Sequence, residues 1–489
     1  MESAWMRRLA CISSDPEVPM GRGVVSVAVM TFIHILIWSE KQGIPTFMPA
    51  GLRCLNQSCP THQNVTVSTN YHMTECVEMT LIQEGVLLGP LVGLALLFVP
   101  PSAQLLSAAS CGSHVSLIMT GGLLWSAMVL LTSYCRSFWE LALARLGVGI
   151  GFSVCLSSSA SLQSVLFTSS THSQQAANVF HQAVFVGGFA GYLLGLTYLT
   201  TTWRQVIFIL GVAGFGVFLA ASLVVRQPNS EQRDFIFRRN TACETLQELV
   251  ACKPYVVLCV AVILQNIGSC ALDAWLATFY AQVYQIPPKE YVTRLGVVVV
   301  VGGCGGSLLG TLLLSRCTGK NKVAPVFLVS LGQLSAASFA LPALLLGSKT
   351  SPAVFTGLLF LVYLFAETWW NCVFAVCEAC FHQQMRDQAV TFCLRSGLVF
   401  GNIAGPLLVP ALSHLHPEWL YCEGGIQTPL LYVTTTCLAL SALFFFLLGF
   451  LLMRLDTGPR LEETIYLMYE TSDVDAFSEK SYSEKDSSF

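Results

Sequence analysis

The sequence is short of charge. Of its 489 residues, 25 are Lys or Arg and 28 are Asp or Glu, together 11%, while 54% are hydrophobic. Soluble domains carry about 25% charged residues, so an ordinary soluble domain is excluded. A formal net charge of −3 offers no basic surface for phosphate backbones, and no nucleic-acid partner is expected. The chain also lacks a phosphate-cradling Walker motif and a double Cys-x-x-Cys metal pattern. Gly151-Phe152-Ser153-Val154-Cys155 has no closing glycine and lies in an apolar run, so it is not a nucleophile elbow. Neither an enzyme, nor a cofactor, nor a metal site is expected. No cleavable leader is expected either: Arg7 and Arg8 are followed by Pro16 and Pro19 before any long apolar run.

What the chain does have is long apolar runs. A spanning helix needs roughly 20 apolar residues. Twelve candidates meet that: 23–49, 79–99, 114–134, 137–166, 178–199, 204–225, 254–283, 292–315, 324–346, 353–380, 388–412 and 429–453. The expected fold is an all-α membrane protein of twelve transmembrane helices in two six-helix halves. Residues 1–21 form an N-terminal tail, 22–225 the first half and 226–253 a polar linker; 254–453 form the second half and 454–489 an acidic tail expected to be disordered.

Twelve spans put both termini on one side. With that side cytosolic, 14 Lys and Arg residues fall in cytosolic segments against 6 outside, leaving out the distal tail. The positive-inside bias therefore predicts cytosolic termini. The loop 51–78 is then external. It holds two glycosylation sequons, at Asn56 and Asn64, and Cys54, Cys59 and Cys76. Cys135 and Cys422 lie in other outer loops. A disulfide is expected there in an oxidising compartment, with its pairing left open by the odd count.

The first run, Val24 to Ala50, carries Glu40 and Lys41 side by side. A charge facing lipid at mid-membrane costs at least ~2.5 kcal/mol, so both are expected to face the bundle interior. The alternative is a helix that ends near Trp38, leaving the pair at the interface. Pro45 and Pro49 fit either reading, since each removes a backbone donor. The other intramembrane charges are Glu84, Arg145 and Asp273 in the outer half, Glu367 near the middle, and Glu378 and Arg395 in the inner half. Such groups are expected to bind substrate or couple transport, the alternative being ion pairs that lock helices together. Glu378 and Arg395 read as gate or structural pairs. Arg145 suits a phosphate or carboxylate through its planar donor fork. His34 and His181 are candidate proton relays, against the plainer reading of satisfied core histidines. Trp369, Trp370 and Phe374 read as helix packing.

A six, linker, six layout resembles the major facilitator superfamily, whose halves are each a pair of inverted three-helix repeats. That family's charged motif between spans two and three is replaced here by Phe98-Val99-Pro100-Pro101-Ser102-Ala103-Gln104; after span eight an echo remains in Gly310, Ser315-Arg316 and Gly319-Lys320. Within the superfamily the chain is similar to the spinster-like lipid transporters. Trp38-Ser39-Glu40-Lys41 with Pro49 resembles that family's span-one pair. Arg145 to Gly151 resembles its span-four Arg-then-Gly-Val-Gly stretch, and Glu367-Thr368 and Gly401-Asn402 resemble spans ten and eleven. The family's span-four glutamate falls on Phe152 here.

The resemblance implies a secondary transporter working by alternating access. Its substrate is expected to be an amphipathic or anionic organic solute, such as a lysophospholipid or sphingolipid, with the bilayer as partner; if the family's span-four glutamate couples protons, Phe152 leaves that coupling altered, absent or passed to another acid. Only this resemblance to lipid transporters implies that Trp369, Trp370 and Phe374 offer a path for an acyl chain. Glu463-Thr464-Ile465-Tyr466-Leu467-Met468 is near an acidic dileucine signal, so a lysosomal or endosomal membrane stands beside the plasma membrane. Two rivals remain: a carrier of organic anions or amino acids, and a non-transporting receptor-like or scaffold relative.

Overall fold

The computed structural model describes residues 20–56, 114–136, 138–166, 170–197, 202–225, 242–317, 323–381, 383–415 and 426–456. Span two with Glu84, and also Asn64, Cys59, Cys76, Cys422 and both tails, lie outside the described residues.

The elements are α1 (Met20–Asn56), α2 (His114–Tyr134), α3 (Phe138–Leu166), α4 (Ser170–Thr197) and α5 (Trp203–Val224). A short helix, α6 (Ala242–Ala251), leads into α7 (Lys253–Val283). The eighth span is composite: α8 (Pro288–Val297), a π-helical turn (Val298–Gly303) and α9 (Cys304–Cys317). α10 (Ala324–Leu345) follows. The tenth span breaks into α11 (Pro352–Ala366), a 3₁₀ turn (Glu367–Trp369) and α12 (Trp370–Cys380); α13 (Gln383–Leu415) and α14 (Gln427–Asp456) close the bundle. Among the described residues, 11 segments are long and apolar enough to cross a membrane. Large apolar side chains stand exposed around the bundle, Leu223 at 79% and Leu143 at 68%; on a soluble protein such a surface would be an aggregation hazard, and in lipid it is the matched face. The protein is a multi-pass membrane protein.

Of the two readings of the first run, the shorter one is excluded. The first helix does not end near Trp38 and is not broken by Pro45 or Pro49: α1 runs unbroken to Asn56. A spanning helix tolerates proline where neighbours satisfy the freed groups. Its last turns carry Cys54 and Asn56, expected in a loop. Within the linker range α6 forms and buries Leu249 against a core of the second half.

The halves have separate cores. Trp125, Ile118 and Phe218 lie at the heart of the first, and Phe279, Tyr280 and Leu276 at the heart of one in the second. α1 packs on α4, α2 on α3 and α5; in the second half α7 packs on α13 and α14, and α10 on α14 and α11. Glycine permits the α1–α4 seam: a Cβ on Gly191 would sit 2.6 Å from the Ser39 carbonyl oxygen and 2.8 Å from the Gly43 nitrogen. The halves meet through α4 against α8 and the π turn, α1 against α7, and α3 against α13. Phe185 and Tyr192 of α4 are buried in the core of the second half.

The prolines inside α13, Pro406 and Pro410, and the break in span ten are each supported by specific partners. Pro410 has no N–H to give the Pro406 carbonyl one turn back, and Trp275 Nε1 of α7 donates to that oxygen at 3.1 Å. At the break in span ten the Ala366 carbonyl accepts from Gln265 Nε2 at 3.1 Å and Gln333 Nε2 at 2.8 Å. Two amides from α7 and α10 thus hold the break open where Glu367 sits.

Candidate functional site

The charged residues singled out from the sequence fall into two groups. In the first half, Arg145 of α3 donates to Glu40 of α1, and both side chains are under 10% exposed. The pair is closed on itself. Lys41 lies next along α1, with Nζ 4.1 Å from the centroid of the Trp38 ring. Trp38 Nε1 donates to His34 Nε2 at 2.8 Å, one turn back, and His34 stacks on Phe180 of α4 with centroids 4.1 Å apart. Phe152, where the resemblance would place an acid, sets its ring edge-on against Trp38 at 6.2 Å. Around α1 the family position is thus filled by an aromatic stack.

In the second half, Asp273 of α7 is held by neutral donors. Tyr363 of α11 donates its hydroxyl to Oδ1 at 2.7 Å, and Gln42 of α1 donates Nε2 to Oδ2 at 3.1 Å. The Gln42 bond crosses between the halves. One helical turn beyond Tyr363, Glu367 is buried in the 3₁₀ turn. His181 of α4 approaches it from the other half, Nε2 to Oε2 4.0 Å, too long for a hydrogen bond. The His181 ring lies flat on Trp370, centroids 3.8 Å apart and planes 4° from parallel. Beside it Gln182 Nε2 donates to Ser307 Oγ of α9 at 3.0 Å, and Asn371 Nδ2 to Thr311 Oγ1 at 2.8 Å.

Glu378 and Arg395 do not form a pair with each other in this arrangement: Glu378 lies 3.9 Å from Arg386, with its side chain 64% exposed, and Arg395 is half-buried on α13. Trp369 is buried, while Trp370 and Phe374 stand edge-on to one another at 5.7 Å. Gln42, Asn178, Gln182, Ser307, Thr311, Tyr363 and Asn371 were not singled out from the sequence. A signal was present in α4: Asn178, His181 and Gln182 recur at i, i+3 and i+4, one helix face.

The geometry among the described residues is therefore two helical halves that meet over polar residues beside a broken helix. The sequence model of the Major Facilitator Superfamily matches residues 84–406. The chain belongs to the Major Facilitator Superfamily. Within it, the chain is 27% identical over 261 residues to protein spinster homolog 3 of Danio rerio, covering 49% of this chain and 52% of the relative. It is 25% identical over 241 residues to a sphingosine-1-phosphate transporter of Xenopus tropicalis, covering 46% of each. The chain thus spans about half the length of the curated relatives it matches. Among solved structures it is similar to a bacterial homologue of the human lysosomal transporter Spinster in an inward-facing, unoccupied conformation: 18% identical, TM-score 0.61, covering 88% of this chain and 95% of that one. The nucleoside transporter NupG is 12% identical at TM-score 0.62, covering 87% and 99%. At these identities the structures establish a shared fold.

Proposed function

We propose that this chain is a secondary transporter working by alternating access, with a lysophospholipid or sphingolipid as the substrate class. The observation that carries the reading is how the halves join. The halves meet over an apolar contact, with Phe185 and Tyr192 of α4 seated in the second half's core, and a few breakable polar contacts cross it: the Gln42–Asp273 and Gln182–Ser307 hydrogen bonds and the His181–Trp370 stack. Rocking of one half against the other needs such an interface. The lipid class rests on the spinster-like relatives and on the aromatic row Trp369, Trp370 and Phe374 along span ten. Arg145 is committed to Glu40, so it contacts an anionic group only by giving that pair up. Protons, if they drive the cycle, act through Asp273 and Glu367, because position 152 is a phenylalanine in an aromatic stack. Both termini are assigned to the cytosol from the positive-inside bias, and a plasma or endolysosomal membrane suits the chain.

The test is uptake of labelled lysolipids and small anions by purified protein in liposomes, with and without an inward proton gradient. A Gly188→Cys/Val299→Cys pair is run beside the wild type; a Cβ on Gly188 lies 3.1 Å from the Val299 side chain across the halves. Saturable uptake is expected, blocked by oxidation in the double variant alone and restored by dithiothreitol. Folded protein that takes up no compound overturns the transport reading. Uptake that continues in the cross-linked variant overturns the rocking.

A further inference from the structure

The chain carries 19 cysteines, and a buried cysteine is usually a small apolar filler. One region concentrates them. Cys259, Cys372, Cys377, Cys380 and Cys393 are buried in a single core that includes α7, α12 and α13, and Cys252 packs against its edge. Two pairs of these sulfurs touch. The Cys380 thiol donates to the Cys252 sulfur, and the Cys393 thiol donates to the Cys259 sulfur. Among the described residues no three His, Cys, Asp or Glu side chains are grouped to hold a metal ion, so neither pair belongs to a zinc-type site.

The pairs differ in access. Cys259 lies inside α7 and Cys393 inside α13, 9% and 0% exposed. Thiols buried in apolar surroundings are inert. Cys252 precedes the first turn of α7 as its N-cap and is only half-buried. The start of a helix favours a thiolate. The hydrogen bond from Cys380 acts in the same direction and brings the Cys252 thiol down from its usual 9.0 to about 7. Cys252 is therefore both reachable and ionised near neutral pH.

Its partner is held in place. Cys380 is the last residue of α12. Tyr255, one turn into α7, donates its hydroxyl to the Ala389 carbonyl of α13 at 2.8 Å. Phe381, next to Cys380, stands edge-on to the Tyr255 ring at 5.1 Å. Tyr255 thus registers three helix ends around the two sulfurs.

We propose that Cys252 and Cys380 are a redox modification site, closed to a reversible disulfide by a small oxidised disulfide such as oxidised glutathione. The Cys252 thiolate attacks one sulfur of the small disulfide and releases one small thiolate. Cys380 loses its proton to solvent, attacks the Cys252 sulfur of the mixed disulfide and releases the second. Two protein thiols are oxidised, and one small disulfide is reduced to two thiols. On the orientation proposed above this end faces the cytosol, where the pair rests reduced. Span ten is broken at Glu367–Trp369, and α12 is the segment beyond the break. The disulfide pins its far end to the start of α7.

The experiment uses the full chain purified in nanodiscs, incubated with oxidised glutathione, quenched, alkylated under denaturing conditions and read by peptide mass spectrometry. A linked Cys252–Cys380 peptide is expected, with Cys259 and Cys393 still alkylated as free thiols, and dithiothreitol is expected to reverse the link. In Cys380→Ser, Cys252 is expected to stop at the glutathione mixed disulfide. In Cys252→Ser, Cys380 is expected to stay reduced. Hydrogen exchange in the last turn of α12 is expected to slow severalfold on oxidation of the wild type and in neither variant. Thermal unfolding checks that each variant is folded; if one is not, the wild type and the other variant carry the test. A wild type that stays reduced, stops at the mixed disulfide or links either cysteine elsewhere overturns the site. A linked pair with unchanged exchange overturns the pinning of α12. No readout involves uptake, so the outcome is independent of the transport reading.

Discussion

Glu40 and Glu367 are both buried glutamates at the heart of one protein, and their surroundings are opposite. Glu40 faces Arg145 in a closed pair. Glu367 faces a histidine of the other half at 4.0 Å, beyond hydrogen-bond reach. A compensated pair needs nothing further and joins α1 to α3. Glu367 has no Lys or Arg at ion-pair distance among the described residues. The lesson is that intramembrane charge marks function only after its partners are counted.

The comparison breaks most visibly at Glu40. Glu40→Ala leaves Arg145 buried alone, and a loss of about 3–5 kcal/mol is expected. It should appear as a large fall in unfolding temperature of detergent-purified protein. Glu40→Arg with Arg145→Glu should recover most of it. Asp273→Ala comes next. It strips the acceptor from Tyr363 and Gln42, and about 1–3 kcal/mol is expected for each donor left buried; hydrogen exchange at the α1–α7 contact should rise. Gly191→Val forces α1 from α4, at a cost of about 1–3 kcal/mol in the same unfolding assay. Glu378→Gln is the smallest, within about 0.5 kcal/mol, because the Arg386 contact is open to solvent.

The spans were legible in the sequence because burial in lipid demands about 20 apolar residues whatever the neighbours are. Eleven of the twelve expected segments coincide with spanning helices among the described residues, the second lying outside them. The charged residues were equally visible, since each stands out against an apolar run. Their partners were not. The break at Glu367 depends on Gln265 and Gln333, which lie about 100 and 33 residues away and meet Ala366 only in the fold. The continuity of α1 past Pro45 and Pro49 was likewise hidden, because local rules for proline assume water outside the helix. The polar face of α4, Asn178, His181 and Gln182, was written in the sequence at i, i+3 and i+4, and its amides were overlooked because amides carry no charge.

The most direct test of the contrast sets Glu367→Gln beside the Glu40→Arg/Arg145→Glu exchange, measuring unfolding temperature and lysolipid uptake on the same preparations. Glu367→Gln is predicted to keep or raise the unfolding temperature and to lose uptake, while the exchange keeps uptake once folded. A Glu367→Gln protein that transports at the wild-type rate, or a folded exchange variant that does not transport, would contradict the division of roles.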